Sequence, residues 1–140
     1  MTPRTHLAID PRLVGTPLDL SEGAARVVLV TQPEMAADER GLVHGGFVFG
    51  LADYAAMLAV NHPHVVLAGA ETRFRKPVAV GDRLIATAQR EETEGAAGAK
   101  SRVQVTVRRG EEEVFSGSFL CVTLERHVFA TAPAAAREGA

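Results

Sequence analysis

The segment from Gly46 to Val60 constrains the fold more than any other part of this chain, because it is apolar on almost every side. Its length and its lack of a long β-branched run predict a helix that stops before Pro63, since proline disfavours helical geometry in the residue preceding it. Apolar side chains on most of a helix surface indicate burial on most sides. A chain of 140 residues does not easily enclose a helix, so we expect a sheet that curls around it or a second subunit that covers it.

One carboxylate, Asp53, interrupts this apolar segment, and a His44-Gly45-Gly46 turn stands at its start. A single carboxylate in an apolar helix indicates a specific role, because burying a charge costs free energy unless a partner compensates for the lost hydration. A turn without side chains at a helix start is a ready site for an anion or a polarised carbonyl. Together the two features predict a catalytic site for acyl transfer. Taken separately, the turn could be a helix entry, and Asp53 could face solvent or pair with an arginine at an interface.

Most of the remaining chain is short, β-branched or alternating, which predicts strands. The first confident strand is Ala24–Thr31, and a leading strand or arm around Leu18–Leu20 could precede it. Four strands are predicted after the helix: Val65–Lys76, Asp82–Glu91, Ala99–Arg109 and Glu112–Glu125. Arg109-Gly110-Glu111 is predicted to form a short hairpin between the last two strands, and Glu92–Gly98 a longer loop before them. Long sequential strands joined by short loops pair antiparallel. One helix packed on such a sheet is a two-layer α+β domain.

Composition narrows the classes of function. A net charge of −2 gives no electrostatic case for a nucleic-acid partner. The single cysteine, Cys121, excludes an intramolecular disulfide and is expected to be a small core residue. His62 and His64 have no third ligand nearby in the sequence, so we expect no metal site. No apolar run is long enough for a signal peptide or a bilayer span, so a soluble cytoplasmic protein without a membrane partner is expected.

The motif Gly41-x-x-His44-Gly45-Gly46, followed by Leu51-Ala52-Asp53, resembles the signature of hotdog-fold acyl-CoA thioesterases, and the phenylacetyl-CoA thioesterase branch is the most similar. The stretches 73–77 and 81–84 resemble the next strand and turn of that fold, so the resemblance covers about residues 24–125. It implies an antiparallel sheet of five or six strands wrapped around one long central helix. It also implies a homodimer as the active unit, often paired into a tetramer.

The domain expected from this resemblance spans residues 1–140, with a core at about 12–127 and a flexible tail at 128–140. One position departs from the family pattern. Asp38 stands where the family often has an asparagine, and an ionised aspartate cannot donate a hydrogen bond. A role that needs an amide donor would therefore be lost at Asp38.

The chemistry expected at the site is hydrolysis of a thioester, without a metal or an organic cofactor. The candidate catalytic residues are Asp53, His44, Gly45 and Gly46. The backbone N–H of Gly45 or Gly46 would stabilise the oxyanion, and Asp53 would act as general base or as nucleophile. Gly46 and Asp53 are separated by about 10 Å along a helix, at ~1.5 Å per residue. One acyl carbon can hardly contact both, so Asp53 is expected to come from a second subunit of an obligate dimer.

Two further groups of residues are expected to bind an acyl-CoA substrate. The densest group of cations in the sequence is a candidate for phosphate contact: Arg73, Arg75, Lys76 and Arg83. Three side chains of the helix are expected to line the acyl pocket: Phe49, Tyr54 and Met57.

Two rival functions are considered. The segments 73–86 and 113–117 also resemble the ligand-binding domain of bacterial lipid-synthesis repressors that bind malonyl-CoA, which would make the chain a non-catalytic sensor of acyl-CoA. The roughly 23 residues before the first confident strand are too few for the DNA-binding unit of those repressors. A hotdog hydratase is disfavoured because Asp38 and His44 lack the Asn-Pro between them that its Asp-x-Asn-Pro-x-His motif requires.

Overall fold

The computed structural model describes residues 1–92 and 100–131, in which six antiparallel strands form a sheet around a long helix. The strands are β1 (Thr16–Ser21), β2 (Ala24–Val30), β3 (Val65–Phe74), β4 (Arg83–Arg90), β5 (Lys100–Arg109) and β6 (Glu112–Thr123). The helices are α1 (Pro11–Val14), α2 (Gly45–Val60) and α3 (Val128–Thr131), and a 3-10 turn covers Pro33–Met35. The expected α+β hotdog arrangement is confirmed, with six strands rather than five.

The strand order is β1-β2-β4-β5-β6-β3, so β1 and β3 are the two edges of the sheet. β1 forms where the sequence predicted a leading strand or arm, and the other strand bounds agree with prediction to within a few residues. Most of the predicted loop Glu92–Gly98 lies outside the described residues. The sequence analysis did not predict α1, although Asp10 caps it by accepting from the Arg12 N–H at 2.9 Å, and Pro11 occupies its first turn.

The core lies between α2 and the concave face of the sheet. Nine residues of α2 are buried, including Leu51, Ala55 and Leu58, each of which is 0% exposed. Burial alternates along β5, where Val103, Val105 and Val107 point inward. This alternation is the two-residue period of a strand that packs on one face. The sheet therefore encloses much of the apolar helix, as its all-round apolar character indicated.

The connection from β3 to β4 fixes the entry to α2. Val43 donates its N–H to the Val78 carbonyl at 2.8 Å, and Val80 donates to the Gly41 carbonyl at 2.9 Å. These bonds hold the chain just before α2 against the turn that follows β3. At its other end, α2 stops at Asn61, whose left-handed backbone (φ 52°) lets its N–H donate to the Met57 carbonyl at 2.8 Å.

The first four residues of the expected flexible tail form α3, and residues 132–140 lie outside the described part of the chain. The assignment of residues 1–140 to a single domain stays a prediction. Within residues 1–92 and 100–131, no helix combines the length and the apolar character needed to cross a bilayer.

Candidate active site

The first turn of α2 presents backbone donors that lack acceptors. The initial N–H groups of a helix have no intrahelical partner, and within the described residues the N–H groups of Gly45 and Gly46 donate to no protein acceptor. His44 caps the helix in an extended conformation, without a side-chain cap bond, and its own N–H donates to the Met35 carbonyl at 2.9 Å. The two free amides lie at the positive end of the helix dipole, which favours negative charge there.

Glycine leaves room around this turn for neighbouring rings. A Cβ at Gly45 would lie 3.1 Å from Cε2 of Phe74, and a Cβ at Gly46 would lie 3.1 Å from Nε2 of His44. The His44 ring is exposed and also contacts Phe47 edge-on, with centroids 6.2 Å apart. Gly45 is half-buried and Gly46 is exposed, so the two amides have different surroundings.

Asp53 lies two helical turns after Gly45 and is only partly accessible. Its Oδ1 atom is buried and has no hydrogen-bond partner within the described residues. Burial among apolar groups raises the pKa of this carboxyl from 3.8 to about 6, because the charged form loses its hydration. A carboxylate with a pKa near the working pH is suited to proton transfer.

The surroundings of Asp53 show which side of the helix it occupies. Burial, and secondly the nearby Asp53 charge, raise the pKa of the Cys121 thiol to about 12. Cys121 is a buried free thiol on β6, as expected for a small core residue, and its cross-strand neighbour on β3 is Leu67. Asp53 therefore lies on the side of α2 that approaches the β3 edge of the sheet.

The helix between these two features is continuous, so their separation follows from helix geometry. From Gly45 to Asp53 is eight residues, which corresponds to about 12 Å at ~1.5 Å per residue. A carbonyl group that accepts from the Gly45 N–H cannot also contact the Asp53 carboxylate of the same chain. The chain thus carries both groups of the predicted site but does not bring them together.

A cleft of about 340 Å³ opens beside Gly45. Its walls are mainly apolar side chains: Leu42, Val43, Val48, Phe74, Val78 and Val114. Two cations, Arg75 and Lys76, line it as well. The sequence analysis missed this cleft and its aromatic wall. The available signal was Phe74 itself, an apolar residue between two cations and therefore on the opposite strand face from them.

The three residues predicted to line the acyl pocket contact other parts of the protomer. Phe49 is half-buried against Phe119, with ring centroids 5.5 Å apart. Met57 is a core residue at 1% exposure, and buried Tyr54 lies 6.2 Å from the His6 ring. None of the three lines the cleft beside Gly45. Their helical spacing gave no information about which strand each would meet, and their contact with an acyl group stays a prediction.

The four cations predicted to contact phosphate do not converge. Arg75 and Lys76 line the cleft, but Arg75 is paired with Glu113 (Nε to Oε2, 2.7 Å). Arg73 borders a separate groove on the outer face of the sheet. Arg83 begins β4, which β5 and β6 separate from β3. Arg75 and Arg83 are close in the sequence but distant in the structure, because the turn after β3 leads to β4, which lies beyond β6 and β5 in the sheet.

Asp38 accepts hydrogen bonds in the turn that leads to α2. Its Oδ1 accepts from the Arg40 N–H at 2.9 Å and from the Leu42 N–H at 3.2 Å. This acceptor role is compatible with an ionised carboxylate. The His62 Nδ1 accepts from the His64 N–H at 3.0 Å, and among the described residues no group of three or more potential ligands is placed to hold a metal ion.

Comparison with known proteins gives a family match and several similar folds. A family model described as the thioesterase superfamily matches residues 40–115. An uncharacterized protein from Pyrococcus horikoshii is 55% identical, with a TM-score of 0.88 over 92% of this chain and 97% of that one. A mutant of the phenylacetic acid degradation protein PaaI from Thermus thermophilus is 25% identical, with a TM-score of 0.70 over 80% of this chain and 95% of PaaI.

Two curated relatives bear names from other functional classes. Methylthioribose-1-phosphate isomerase of Aquifex aeolicus is 54% identical over 121 residues, which cover 86% of this chain and 26% of that protein. Transcription factor FapR of Caldanaerobacter subterraneus is 32% identical over 115 residues, which cover 81% of this chain and 56% of FapR. The chain therefore spans only part of the length of these relatives.

Proposed function

We propose that this chain, which belongs to the thioesterase superfamily, hydrolyses the thioester of an acyl-CoA to a free acid and coenzyme A. The observation that carries the proposal is the Asp53 carboxylate, which is half-buried, has no Oδ1 partner in the described part of the chain and has a pKa raised to about 6. It lies on the helix whose first turn has free glycine amides beside an apolar cleft. No metal or organic cofactor is needed for this chemistry.

In the proposed reaction, the Gly45 N–H donates to the thioester carbonyl oxygen and stabilises the charge that develops on it. Asp53 either takes a proton from water as the water oxygen attacks the carbonyl carbon, or attacks that carbon itself to form a mixed anhydride that water then cleaves. In both routes the C–S bond breaks, and the CoA thiolate leaves and takes up a proton. Label in Asp53 after a single turnover in ¹⁸O-labelled water would identify the anhydride route, because water that cleaves the anhydride at the Asp53 carbonyl leaves its oxygen there and the general-base route cannot do so.

The Asp53 that serves a given Gly45 comes from a second copy of the chain, because about 12 Å of helix separates the two within one chain. Two antiparallel copies of α2 that set Gly45 opposite Asp53 would cross near Phe49, which lies midway between them. The Phe49 ring packs on Phe119, whose cross-strand neighbour on β3 is Ala70. Ala70 is at the middle of β3, a ten-residue edge strand with exposed alanines. Pairing of β3 with its own copy about Ala70 would therefore assemble two shared sites.

A cross-linking experiment tests this register. Ala70→Cys should form a disulfide between two copies under mild oxidation, because a two-fold axis near Ala70 brings the two thiols together. Ala68→Cys is the matched control, since its copies would lie about 14 Å apart along the paired strands at ~3.4 Å per residue. The native Cys121 is buried and should not interfere. Cross-linking of Ala68→Cys but not of Ala70→Cys would reject this register.

The proposed partners are the acyl-CoA substrate and a second copy of the chain, with a dimer of dimers as a further assembly. Lys76 is the better candidate for contact with a CoA phosphate, because it lines the cleft and its ammonium makes no ion pair within the described residues. Arg75 is held by Glu113 and would have to exchange partners.

The function is tested by thiol release from a panel of acyl-CoA thioesters. We expect turnover by the wild-type chain, and a loss of kcat by ~10²–10⁴-fold for Asp53→Asn, which keeps the shape but not the basicity. Asp19→Asn is the control, because Asp19 is an exposed carboxylate that pairs with Arg26 on β2. Undiminished kcat in Asp53→Asn would remove the assigned base or nucleophile.

The similarity to transcription factor FapR favours a second candidate, a protein that binds acyl-CoA without hydrolysing it. The same cleft and cations would then hold the ligand, and Asp53 would have no chemical role. Calorimetric titration with the acyl-CoA panel discriminates the two functions. Saturable binding at one ligand per chain, with no thiol released over hours, would support the sensor and end the thioesterase proposal.

A further inference from the structure

Phe74 is the last residue of β3, and its ring stands directly beside the donor turn. It is 57% exposed, although it lies on the inner face of the sheet, opposite buried Phe115. Its Cε2 atom is 3.1 Å from the position that a Cβ at Gly45 would occupy. The ring therefore occupies the space next to the amide proposed to bind the thioester carbonyl.

This exposed ring is held in place. It contacts the Phe115 ring edge-on, with centroids 5.0 Å apart and an interplanar angle of 78°, a favoured aromatic geometry. Phe115 is 0% exposed and contacts the equally buried Phe119. Immediately after Phe74, the Arg75 N–H donates to the Val114 carbonyl at 2.8 Å. Phe115 thus packs against one edge of the ring, and the Arg75 bond fixes the main chain next to the residue that carries it.

The cleft is small, and the Phe74 ring forms its wall next to Gly45. Its volume of about 340 Å³ is near the lower end of the ~300–1,000 Å³ typical of ligand pockets. A carbonyl oxygen that accepts from the Gly45 N–H would lie about 2.9 Å from the nitrogen. The first acyl carbon, one bond beyond the carbonyl carbon, must then fit beside the Phe74 ring. An added methyl group on that carbon would compete with the ring for space.

We infer that Phe74 determines substrate specificity, by admitting acyl groups with an unbranched carbon next to the thioester carbonyl and excluding those branched at that carbon. The inference rests on the proposed thioesterase function. It concerns a side chain that contacts the substrate near the reacting atoms and takes no part in proton transfer.

The test compares butyryl-CoA with isobutyryl-CoA, which have the same atoms and differ only in branching next to the carbonyl. For the wild-type chain, kcat/KM should favour butyryl-CoA by about tenfold or more, the scale of discrimination for one methyl group in a pocket. Phe74→Ala should bring the ratio below about threefold, mainly through faster turnover of isobutyryl-CoA, and Phe74→Leu should fall between. Phe129→Ala is the matched control, because Phe129 is also exposed, at 64%, but lies in α3.

Equal use of the two thioesters by the wild-type chain, or a ratio unchanged in Phe74→Ala, would overturn the inference. Thermal melting of both alanine variants identifies any loss of fold, and Phe74→Leu provides a second, less disruptive variant. Dissociation constants for the two intact thioesters are also measured in Asp53→Asn and in Asp53→Asn with Phe74→Ala. If the wild-type chain hydrolyses neither thioester, the proposed function fails. The ratio of the two dissociation constants then tests the role of Phe74 separately. We expect butyryl-CoA to bind about tenfold or more tightly than isobutyryl-CoA when Phe74 is present, and less than about threefold more tightly in Phe74→Ala.

Discussion

The first turn of α2 and its middle provide different kinds of chemistry. At the first turn, Gly45 and Gly46 have no side chains, the proposed reactive groups are backbone amides, and Gly45 lines a cleft. At the middle, Asp53 supplies a side chain whose pKa is raised to about 6 by burial. The proposed role of the amides depends on their having no acceptor among the described residues, and that of the carboxylate depends on its partial burial. One helix holds the two about 12 Å apart, so under the proposed function each copy would supply the amide to one site and the carboxylate to the other.

At the first turn, a methyl group should have its larger effect at Gly45. Gly45→Ala adds a Cβ 3.1 Å from the Phe74 ring, which packs edge-on against Phe115. Displacing the carbonyl from its donor should lower kcat by ~10²-fold, the usual cost of losing an oxyanion contact. Gly46→Ala meets only the exposed His44 ring, which can rotate, and should lose about tenfold or less. Steady-state kinetics check both, and an equal loss at the two positions would contradict the different surroundings of the amides.

Mixing two inactive variants should restore activity if the two halves come from different chains. A heterodimer of Asp53→Asn with Gly45→Ala has one intact site and one site with both defects. The purified heterodimer should therefore have half the number of intact sites of the wild-type dimer. The experiment co-expresses the two chains with different tags and assays the doubly purified dimer against each homodimer. Activity no higher than that of the homodimers would show that the sites are not shared.

The pH dependence of activity tests the role of Asp53 in the middle of α2 separately from that of the first turn. If Asp53 acts in its ionised form, kcat/KM should be constant above its pKa of about 6 and fall about tenfold per pH unit below it. The matched measurement is the residual activity of Asp53→Asn, which should lack this acid limb. An acid limb centred near 4, the ordinary aspartate value, would mean that the carboxylate is hydrated in the working enzyme.

As pH rises, the Asp53 contribution to the free energy of unfolding should fall, whereas activity should rise. The folded-state pKa of Asp53 is raised from 3.8 to about 6, so the folded chain binds a proton more tightly than the unfolded chain. The associated stability is fully present below pH 3.8 and is lost as pH rises through about 6. Above that pH, Asp53→Asn should unfold with a free energy higher by up to roughly 3 kcal/mol, because it has no charge to desolvate. Urea unfolding from pH 4 to 8 checks this, and a variant less stable than wild type at pH 8 would contradict it.

The sequence predicted the elements well where one physical signal dominated. The apolar segment from Gly46 to Val60 allowed only a buried helix, and the alternation in Ala99–Arg109 allowed only a strand packed on one face. Asp53 and the glycine turn were recognisable because each violates a rule that ordinary packing obeys. The prediction was weaker where several readings had similar weight, as in the first 23 residues, where α1 was missed.

The amino-acid sequence by itself determined the helix and the strand pattern and singled out the candidate reactive groups, because these depend on local periodicity and on residue chemistry. Only the tertiary structure decided which side chains surround them. It placed Phe74 on Gly45, turned Phe49 and Met57 towards other parts of the core and moved Arg83 away from Arg75. Those contacts depend on how strands are ordered in the sheet and where a turn crosses it. The spacing of residues along one helix or strand predicts neither the strand order nor the path of the turn, because it describes a single element without its neighbours.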